Sequence, residues 1–322
     1  MRYLLSPFAV IYFFLITLRE ILYKIGIFRT YRSPLPVICV GNITLGGTGK
    51  TPVTLWLCQQ LISKGYKPCI LSRGYGGQIR DVHLVNASAD TAEMVGDETL
   101  LLAQLSQVPV VIAPKRAKGA RWIEQHLDVS LIIMDDGFQH FGLFRNFNIL
   151  CFDAQKSACE YSLLPIGRMR EAWGALARAH HVVVTKVESP HLPTVLETHL
   201  ASMDQSHCRY QISLSSEEPL SRVILVSGIA NPDFFERLGN ESGFQVVKHK
   251  IFNDHYMYRV EDIKDLEEEA ISIRAKILCT EKDWVKIKHL GPQDGLWCHS
   301  HLKLEWIKGE NELVEKAASF LT

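Results

Sequence analysis

Residues 36–54 read PVICVGNITLGGTGKTPVT. The run at 37–40, VICV, is apolar and mostly β-branched, which is typical of a buried strand. A glycine-rich turn follows at 46–49, and Lys-Thr-Pro comes next at 50–52. Proline fits the first turn of a helix, where an N–H group would have no partner in any case. Strand, glycine loop and helix in this order predict a phosphate-binding loop at the end of a parallel strand.

The side chains of this loop have separate expected roles in nucleotide binding. We expect Lys50 to reach the β- and γ-phosphates and the Thr51 hydroxyl to ligate Mg²⁺. The general pattern has a glycine six residues before the lysine, where this chain has Thr44. An ordinary glycine-rich turn that caps a helix is the alternative, but the flanking strand and proline favour nucleotide binding. The predicted nucleotide-binding residues are Gly46, Gly47, Thr48, Gly49, Lys50 and Thr51.

The composition argues against several classes of protein. The chain has 322 residues, which is long enough for roughly two globular domains. Its hydrophobic content of 47% is ordinary for a globular protein and sufficient for a sizeable core. Its 35 Lys and Arg residues balance its 35 Asp and Glu residues, so no nucleic acid partner is expected. The eight cysteines include no C-x-x-C pair, which favours core residues in a reducing compartment over a zinc site or a disulfide framework.

An almost wholly apolar segment, LLSPFAVIYFFLITL, occupies residues 4–18. A helix of this length spans about 22 Å, which is short of the ~30 Å hydrocarbon core of a bilayer. Basic residues follow at positions 19, 24, 29 and 32, which suits an anionic cytoplasmic leaflet. A signal peptide is disfavoured because no small-residue cleavage site follows. A buried core helix is the remaining alternative to our prediction, a monotopic or marginally spanning membrane anchor over residues 1–33.

Beyond the loop, predicted strands alternate with helical segments. The strands are expected at 68–72, 82–85, 108–113, 129–134, 147–152 and 182–185. This alternation predicts an α/β fold of the P-loop NTPase type, with a doubly wound, mainly parallel sheet and ligands outside the carboxyl ends of its strands. Polar residues at 215–219, SSEEP, mark the predicted boundary between a nucleotide-binding domain at 34–218 and a smaller α/β domain at 219–322 that closes over the cleft.

Two adjacent carboxylates follow the most apolar predicted strand. Asp135 and Asp136 come directly after VSLIIM at 129–134, about 85 positions beyond Lys50. A carboxylate there is expected to hold the Mg²⁺ that bridges the β- and γ-phosphates, directly or through water. Capping of the next turn is the alternative, and which of the two carboxylates ligates the metal directly stays open.

A second acidic site lies at Asp97, in the turn Gly-Asp-Glu that opens a predicted helix. Helix capping alone explains an acid in that place. His255, in NDHY, belongs to the second predicted domain, where a lone histidine is commonly structural. If closure of the domains brings the two residues together, they form a pair that can accept a proton from an attacking hydroxyl.

Four arginines in or beside loops are candidates for binding phosphate. Most charges of this kind lie on a solvated surface. Near a phosphate-binding loop, an arginine can instead bind a substrate phosphate or stabilise the phosphoryl group in transfer. The four are Arg73, Arg116, Arg168 and Arg170.

Eight motifs behind the apolar helix carry a family resemblance over nearly the whole chain. They are VGNITLGGTGKTP, LSRGYGG, VGDE, MDDGFQH, LLPIGRMRE, VSGIANPDFF, NDHY and TEKDWVK, in this order. Together they resemble the tetraacyldisaccharide 4'-kinase family of the lipid A pathway of Gram-negative bacteria, in which Thr44 is a usual variation of the loop.

The resemblance implies ATP- and Mg²⁺-dependent phosphorylation of the 4'-hydroxyl of a tetraacylated glucosamine disaccharide 1-phosphate, which gives lipid IVA. It places the enzyme on the cytoplasmic face of the bacterial inner membrane, with its lipid substrate and the membrane surface as partners and no obligate protein partner.

The resemblance also implies roles for particular residues. It makes Asp97 the proposed base and His255 its partner, with Lys50 and Arg170 at the transferring phosphate. Thr51, Asp135 and Asp136 match the metal-binding positions. The positions that match substrate contacts are Arg73, Tyr75, Arg116, Gln139, His140 and Arg170. Arg168 stands where related sequences usually carry an uncharged residue.

Two other classes of function remain open at this point. A membrane-attached P-loop NTPase acting as a switch or transport factor is the first, because TKVE at 185–188 is similar to a guanine-reading TKxD element. Glu188 replaces the aspartate of that element. A non-catalytic lipid-binding scaffold is the second, and it would leave Lys50 without a purpose.

Overall fold

The structure is a computed structural model, and it describes residues 6–214 and 222–321. Its central strand is β1 (Val37–Gly41), which is buried along its whole length. Val37 and Cys39 pack into the core on one face of the sheet, while Ile38 and Val40 pack into the core on the other. A strand that is apolar at every position needs cover on both faces, and helices supply it here.

All strands of the described residues form one sheet of twelve. In spatial order they are β10 (Gln245–Ile251), β9 (Arg222–Ser227), β11 (Lys276–Thr280), β12 (Trp297–Lys308), β8 (Gln205–Leu214), β7 (His181–Thr185), β6 (Phe147–Asp153), β1, β5 (Leu131–Asp135), β2 (Pro68–Ser72), β4 (Val110–Ile112) and β3 (His83–Leu84). Neighbours run parallel except for β8 with β12 and β3 with β4. The predicted mainly parallel α/β sheet is therefore confirmed.

Helices cover both faces of this sheet. They are α1 (Ser6–Lys24), α2 (Lys50–Ser63), α3 (Ala92–Val95), α4 (Asp97–Leu105), α5 (Arg116–His126), α6 (Thr194–Leu200), α7 (Pro232–Glu241), α8 (Val260–Ser272), α9 (Glu281–Ile287) and α10 (Glu310–Ser319). Helices α2, α4 and α10 share one core, whereas α5 and α6 contribute to the core on the opposite face. The helix after the loop begins at Lys50, so Pro52 lies in its first turn as predicted and the loop ends directly on the helix N-terminus.

Strands β8 and β12 join the two halves of the sheet and were not predicted. β8 pairs with β7 only over 205–207, and then continues to Leu214 alongside β12. The start of β12 pairs with the end of β11, where Thr280 lies opposite Ser300. The strands from β7 to β4 form one parallel block of the sheet, and those from β10 to β11 form the other. Because β8 and β12 pair with these blocks at different positions along their length, the carboxyl ends of both blocks point towards one shared cleft. The predicted domain boundary at 218/219 falls within 215–221, outside the described residues.

Helix α1 packs against the rest of the described chain along one side only. Ala9 is buried, and the Tyr23 ring stacks on Phe141 with the ring centroids 5.5 Å apart. The Tyr12 hydroxyl donates a hydrogen bond to the Arg170 carbonyl oxygen at 2.8 Å. The opposite side exposes large apolar side chains, which include Phe8, Ile11, Phe14, Leu15 and Leu18. Within residues 6–214 and 222–321, no helix combines the length and apolarity needed to cross a membrane.

Candidate active site

The glycine-rich loop lies at the carboxyl end of β1 and lines a cavity of 990 Å³. The loop is fastened by side chains from its surroundings. Asn42 donates from Nδ2 to the Thr48 hydroxyl at 2.8 Å, and the Thr185 hydroxyl donates to the Thr48 carbonyl at 3.3 Å. Gly49 precedes α2 with φ +78°, a conformation that favours glycine. The N–H groups of the first turn of α2 have no partner within the helix, which makes this end a site for anions.

Lys50, Asp136 and Arg170 form a charged group beside the loop. The Lys50 ammonium lies 3.8 Å from Asp136 Oδ1, and Arg170 Nη2 lies 3.1 Å from the same oxygen. Burial raises the pKa of Asp136, but the charges of Lys50 and Arg170 outweigh it and lower the pKa. Asp136 itself has φ +45°. A backbone conformation that non-glycine residues rarely adopt is typical of functional sites. Two cations are thus held where a polyphosphate on the loop would extend.

Asp135 is buried one residue earlier, at the end of β5. The Thr54 hydroxyl donates to its Oδ1 at 3.2 Å. Burial and then the negative charges of Asp136 and Glu98 raise the pKa of Asp135 to about 7. A buried carboxylate beside other carboxylates is a suitable oxygen donor for a divalent cation.

The residues at this position fit Mg²⁺. The described residues contain no group of three or more His, Cys, Asp or Glu side chains arranged to hold a metal. Mg²⁺ bound together with a nucleotide needs only one or two carboxylates, because phosphate oxygens and water complete its shell. Thr51 lines the same cavity as Asp135 and Asp136.

Asp97 and His255 meet across the cleft, although 158 positions separate them. Their Oδ2 and Nδ1 atoms lie 2.8 Å apart. Asp97 opens α4, and His255 follows β10 with φ +61°. Burial raises the pKa of Asp97, but the hydrogen bond with His255 and the charge of Lys282 outweigh it and lower the pKa to about 2. The hydrogen bond with Asp97 raises the pKa of His255.

The predicted substrate contacts line the same cavity. Tyr75 is 66% exposed, and its ring meets the His255 ring edge-on at 5.9 Å. Burial and the neighbouring arginines lower the pKa of His140 to about 4, so its imidazole is neutral. Gln139 accepts a hydrogen bond from Arg170 at 3.1 Å. Arg73 also lies on the cavity wall.

Arg116 differs from the other predicted substrate contacts because it is only 2% exposed. Its guanidinium donates to the carbonyl oxygens of Ala113 at 2.9 Å and Asp135 at 3.3 Å. Burial lowers the pKa of Arg116 to about 10. The side chain therefore supports the end of β5, while it also forms part of the cavity wall.

Comparison with known proteins gives the family of the chain. A family model described as LpxK, tetraacyldisaccharide-1-P 4'-kinase, matches residues 1–320. The chain belongs to this 4'-kinase family. It is 35% identical over 289 residues to the tetraacyldisaccharide 4'-kinase of Aeromonas salmonicida, covering 89% of this chain and 84% of that protein. It is 33% identical over 317 residues to that of Psychromonas ingrahamii, covering 98% and 95%.

A solved structure of the 4'-kinase family shares the fold. The crystal structure of LpxK from Aquifex aeolicus in complex with ATP superposes with a TM-score of 0.81 at 29% identity. The superposition covers 100% of this chain and 99% of the other. The family does not favour the switch alternative. In the TKVE segment, Glu188 instead accepts hydrogen bonds from Gln155 and Arg237.

Three lysines at this candidate site were not predicted from the sequence. Lys156 donates to the Leu45 carbonyl and, at 3.4 Å, to the Thr44 hydroxyl. Burial lowers the pKa of Lys156 to about 8. Lys186 pairs with Asp153 and donates to the Gly47 carbonyl at 3.2 Å. Lys282 reaches Asp97 from α9. Lys282 lies in the TEKDWVK motif and Lys186 in the TKVE segment, both of which were usable signals, whereas none of the quoted motifs contains Lys156.

A chain of polar contacts connects α1 with this site, and no sequence pattern predicted it. Arg178 lies 3.8 Å from Glu20 of α1 and also pairs with Glu171. Glu171 accepts a hydrogen bond from Gln139 at 2.9 Å, and Gln139 contacts Arg170. The side chains that orient Arg170 therefore rest in part on the amino-terminal helix.

Arg168 lies on the other side of the loop. Its guanidinium is adjacent to Gly46, and its Nε is 3.4 Å from Glu160 Oε1. The Arg168 carbonyl accepts a hydrogen bond from the Leu45 N–H at 2.7 Å. The backbone at this position therefore supports the loop whatever the side chain is, and the side chain adds a positive charge beside the loop.

Proposed function

We propose that the protein transfers the γ-phosphate of ATP to the 4'-hydroxyl of a tetraacylated glucosamine disaccharide 1-phosphate, giving lipid IVA. One observation supports this most strongly. The Asp97–His255 pair, which can accept a hydroxyl proton, shares one cavity with the phosphate-binding loop and its Lys50–Arg170 group. The identity of the lipid acceptor is inferred from the family to which the chain belongs.

The phosphate side of the reaction depends on positioning and charge. The N-terminus of α2 and Lys50 bind the β- and γ-phosphates, and Arg170 stabilises charge on the phosphoryl group as it transfers. Thr51, Asp135 and Asp136 would hold Mg²⁺, which neutralises phosphate charge when it is bound. Asp136 also fixes the directions of Lys50 and Arg170, because it lies within 4 Å of both cations.

The proton side of the reaction belongs to the Asp97–His255 pair. A carboxylate with a pKa of about 2 is a weak proton acceptor by itself. The imidazole has the higher pKa, and Asp97 both raises that pKa and fixes the orientation of the ring. The pair therefore takes the proton of the 4'-hydroxyl as a unit, in the same way that Asp orients His in hydrolytic triads.

The acceptor is bound by the remaining wall of the cavity. Arg73, Tyr75, Arg116, Gln139 and His140 contact the phosphorylated sugar in this proposal. Neutral His140 and Gln139 suit the sugar hydroxyls, whereas Arg73 suits a phosphate. Residues 34–218 form the kinase domain, and residues 219–322 form the smaller domain that closes over the acceptor.

The membrane is the partner that the lipid requires. The apolar side of α1 enters the cytoplasmic leaflet of the inner membrane, where ATP is present and the acyl chains stay in the bilayer. The exposed side chains Phe8, Ile11 and Phe14 support this placement, because each is more than half exposed. The hydrogen bond from Tyr12 to Arg170 then keeps the catalytic cavity close to the bilayer surface.

The test compares nucleotides and acceptors with the wild-type protein in detergent and Mg²⁺. We expect ATP and the lipid disaccharide to give a product with one additional phosphate, identified by mass spectrometry. An acceptor with its 4'-hydroxyl methylated should give none. Phosphorylation of the methylated acceptor would refute the 4'-position. GTP turnover that is independent of acceptor, with no lipid product, would instead support the switch.

A further inference from the structure

Lys282 is a partly buried cation at the point where the two halves of the molecule meet. Its ammonium lies 3.3 Å from Glu98 Oε1, 3.6 Å from Asp97 Oδ2 and 3.6 Å from Asp254 Oδ1. The side chain is 17% exposed and lines the catalytic cavity. Lys282 thus contacts three carboxylates at once.

These carboxylates come from different parts of the chain. Asp97 and Glu98 open α4, whereas Asp254 precedes His255 in the segment that follows β10. Like charges this close disfavour ionisation and repel each other. Burial lowers the pKa of Lys282, but Glu98, Asp97 and Asp254 outweigh it and raise the pKa, so the ammonium stays charged at neutral pH. One cation therefore stabilises acidic groups from both sides of the cleft.

We propose that Lys282 is a positioning residue for proton transfer, which holds Asp97, Glu98 and Asp254 together and thereby keeps the His255 imidazole on Asp97. The inference rests on the proposed kinase function. Lys282 touches neither the glycine loop nor the Lys50–Arg170 group in any contact of the described residues. Its contribution is therefore separate from the binding of ATP.

The pH dependence of catalysis gives this role a specific signature. Asp97 is faced by His255 from the segment after β10 and by Lys282 and Lys286 from α9. Glu98 and Asp254 contact Lys282, and Asp254 also lies 3.8 Å from His255 Nε2. The Tyr75 ring also lies against His255. The charge of Lys282 lowers the pKa of Asp97 and the pKa of His255. Its removal raises both, so the acid limb of the kcat profile moves to higher pH whichever group forms it.

The experiment compares Lys282→Met with Lys282→Arg, both in the full chain. For Lys282→Met we expect kcat at neutral pH to fall about tenfold or more, with the acid limb about one pH unit higher. The KM for ATP should change little. Lys282→Arg should keep most of the wild-type kcat and the wild-type position of the acid limb, because the arginine retains the positive charge.

Lys288→Met is the matched control, because Lys288 is an exposed lysine just beyond the end of α9. It should leave kcat and the pH profile as in the wild type. Lys282→Gln provides a second neutral variant if the methionine variant does not fold, as judged by thermal melting and ATP binding.

The proposal is overturned if a folded neutral variant keeps the wild-type acid limb, or if Lys282→Arg behaves like Lys282→Met. These results differ from a failure of the proposed function. In that case, the wild-type protein itself would give no phosphorylated lipid.

Discussion

At the scale of single residues, the loop leaves no space beyond Gly49. A Cβ atom at Gly49 would collide with the Tyr210 hydroxyl and lie 3.0 Å from a Thr185 methyl carbon. Tyr210 and Thr185 belong to β8 and β7, so strands of the sheet press directly on the phosphate-binding turn. The loop is thereby fixed before any nucleotide arrives, which lowers the entropic cost of binding.

Gly49→Ala should therefore lower the affinity for ATP by about tenfold or more, because both the collision and the positive φ displace the turn. Gly65→Ala is the matched control. Gly65 also has a positive φ, +86°, near the other end of α2, but nothing lies within 4 Å of its added Cβ. Titration with a fluorescent ATP analogue measures both variants. Equal affinities in the two variants would show that the packing at Gly49 does not matter.

Asp97→Asn should reduce kcat by about 10²-fold or more, since it removes the partner of the proton-accepting imidazole. The sign of its pH effect is opposite to that of Lys282→Met. Only the neutral imidazole accepts a proton, and Asp97 raises the pKa of His255. Loss of Asp97 lowers that pKa, so the residual activity should keep its acid limb down to lower pH.

A full pH profile of kcat measures this shift, with Asp128→Asn as the control. Asp128 is 92% exposed and pairs only with Lys67 among the described residues, so its replacement should leave the profile unchanged. An acid limb that moves upward in Asp97→Asn would contradict the assignment of the pair.

The positions of some candidate site residues in the fold were predictable, because a local sequence pattern marks them. Lys50 and the pair Asp135–Asp136 each follow an apolar strand, so their position at the carboxyl edge of a parallel sheet was predictable. The contact between Asp97 and His255 was predicted only on the condition that the domains close. Neither a helix-capping acid nor a lone histidine indicates a partner 158 positions away. Lys156 was missed because its only distinction is burial, which one sequence does not show.

At the scale of elements, α1 has an apolar side that the rest of the described chain leaves uncovered, and the proposed membrane contact rests on that side. Phe14 is 64% exposed and Leu15 is 61% exposed. The double variant Phe14→Ser/Leu15→Ser should bind vesicles of anionic phospholipid about tenfold or more weakly, because burial of each side chain is worth about 1.5–3 kcal/mol. Co-sedimentation with the vesicles measures the change.

Ile271→Ser is the control for this experiment, because Ile271 on α8 is similarly exposed, at 57%. It should leave vesicle binding as in the wild type, and both proteins should still bind ATP. If the α1 variant binds vesicles as strongly as the wild type, the proposal that α1 contacts the membrane is wrong.

The elements with a regular strand–helix alternation were predicted correctly, whereas β8 and β12 were not. β8 reads QSHCRYQISL, in which polar residues interrupt the apolar ones. β12 carries charged and aromatic residues along its twelve positions. Such strands are stabilised by pairing with each other and by contacts such as Trp56 against Trp306, with centroids 4.3 Å apart. Those partners are remote in the chain, so propensity alone does not reveal them.

At the scale of the whole molecule, the antiparallel pair β8 and β12 reverses the direction of the strands within the sheet. The carboxyl ends of the strands on either side of this pair therefore face each other. The phosphate-binding loop lies on one side of the cleft and His255 with Lys282 on the other. The resemblance of the sequence motifs gave the family correctly. The reversal itself follows from the register of β8 with β12, which only the structure provides.

The most direct measurement of this arrangement is transfer of labelled γ-phosphate from ATP to the tetraacylated disaccharide 1-phosphate. We predict labelled lipid with the wild-type protein and with Lys64→Ala, an exposed lysine at the end of the same helix. Lys50→Ala should lose about 10²-fold or more of this transfer, because in the proposed function the Lys50 ammonium binds the β- and γ-phosphates. If the wild-type protein leaves the lipid unlabelled, or Lys50→Ala labels it at the full rate, the account is wrong.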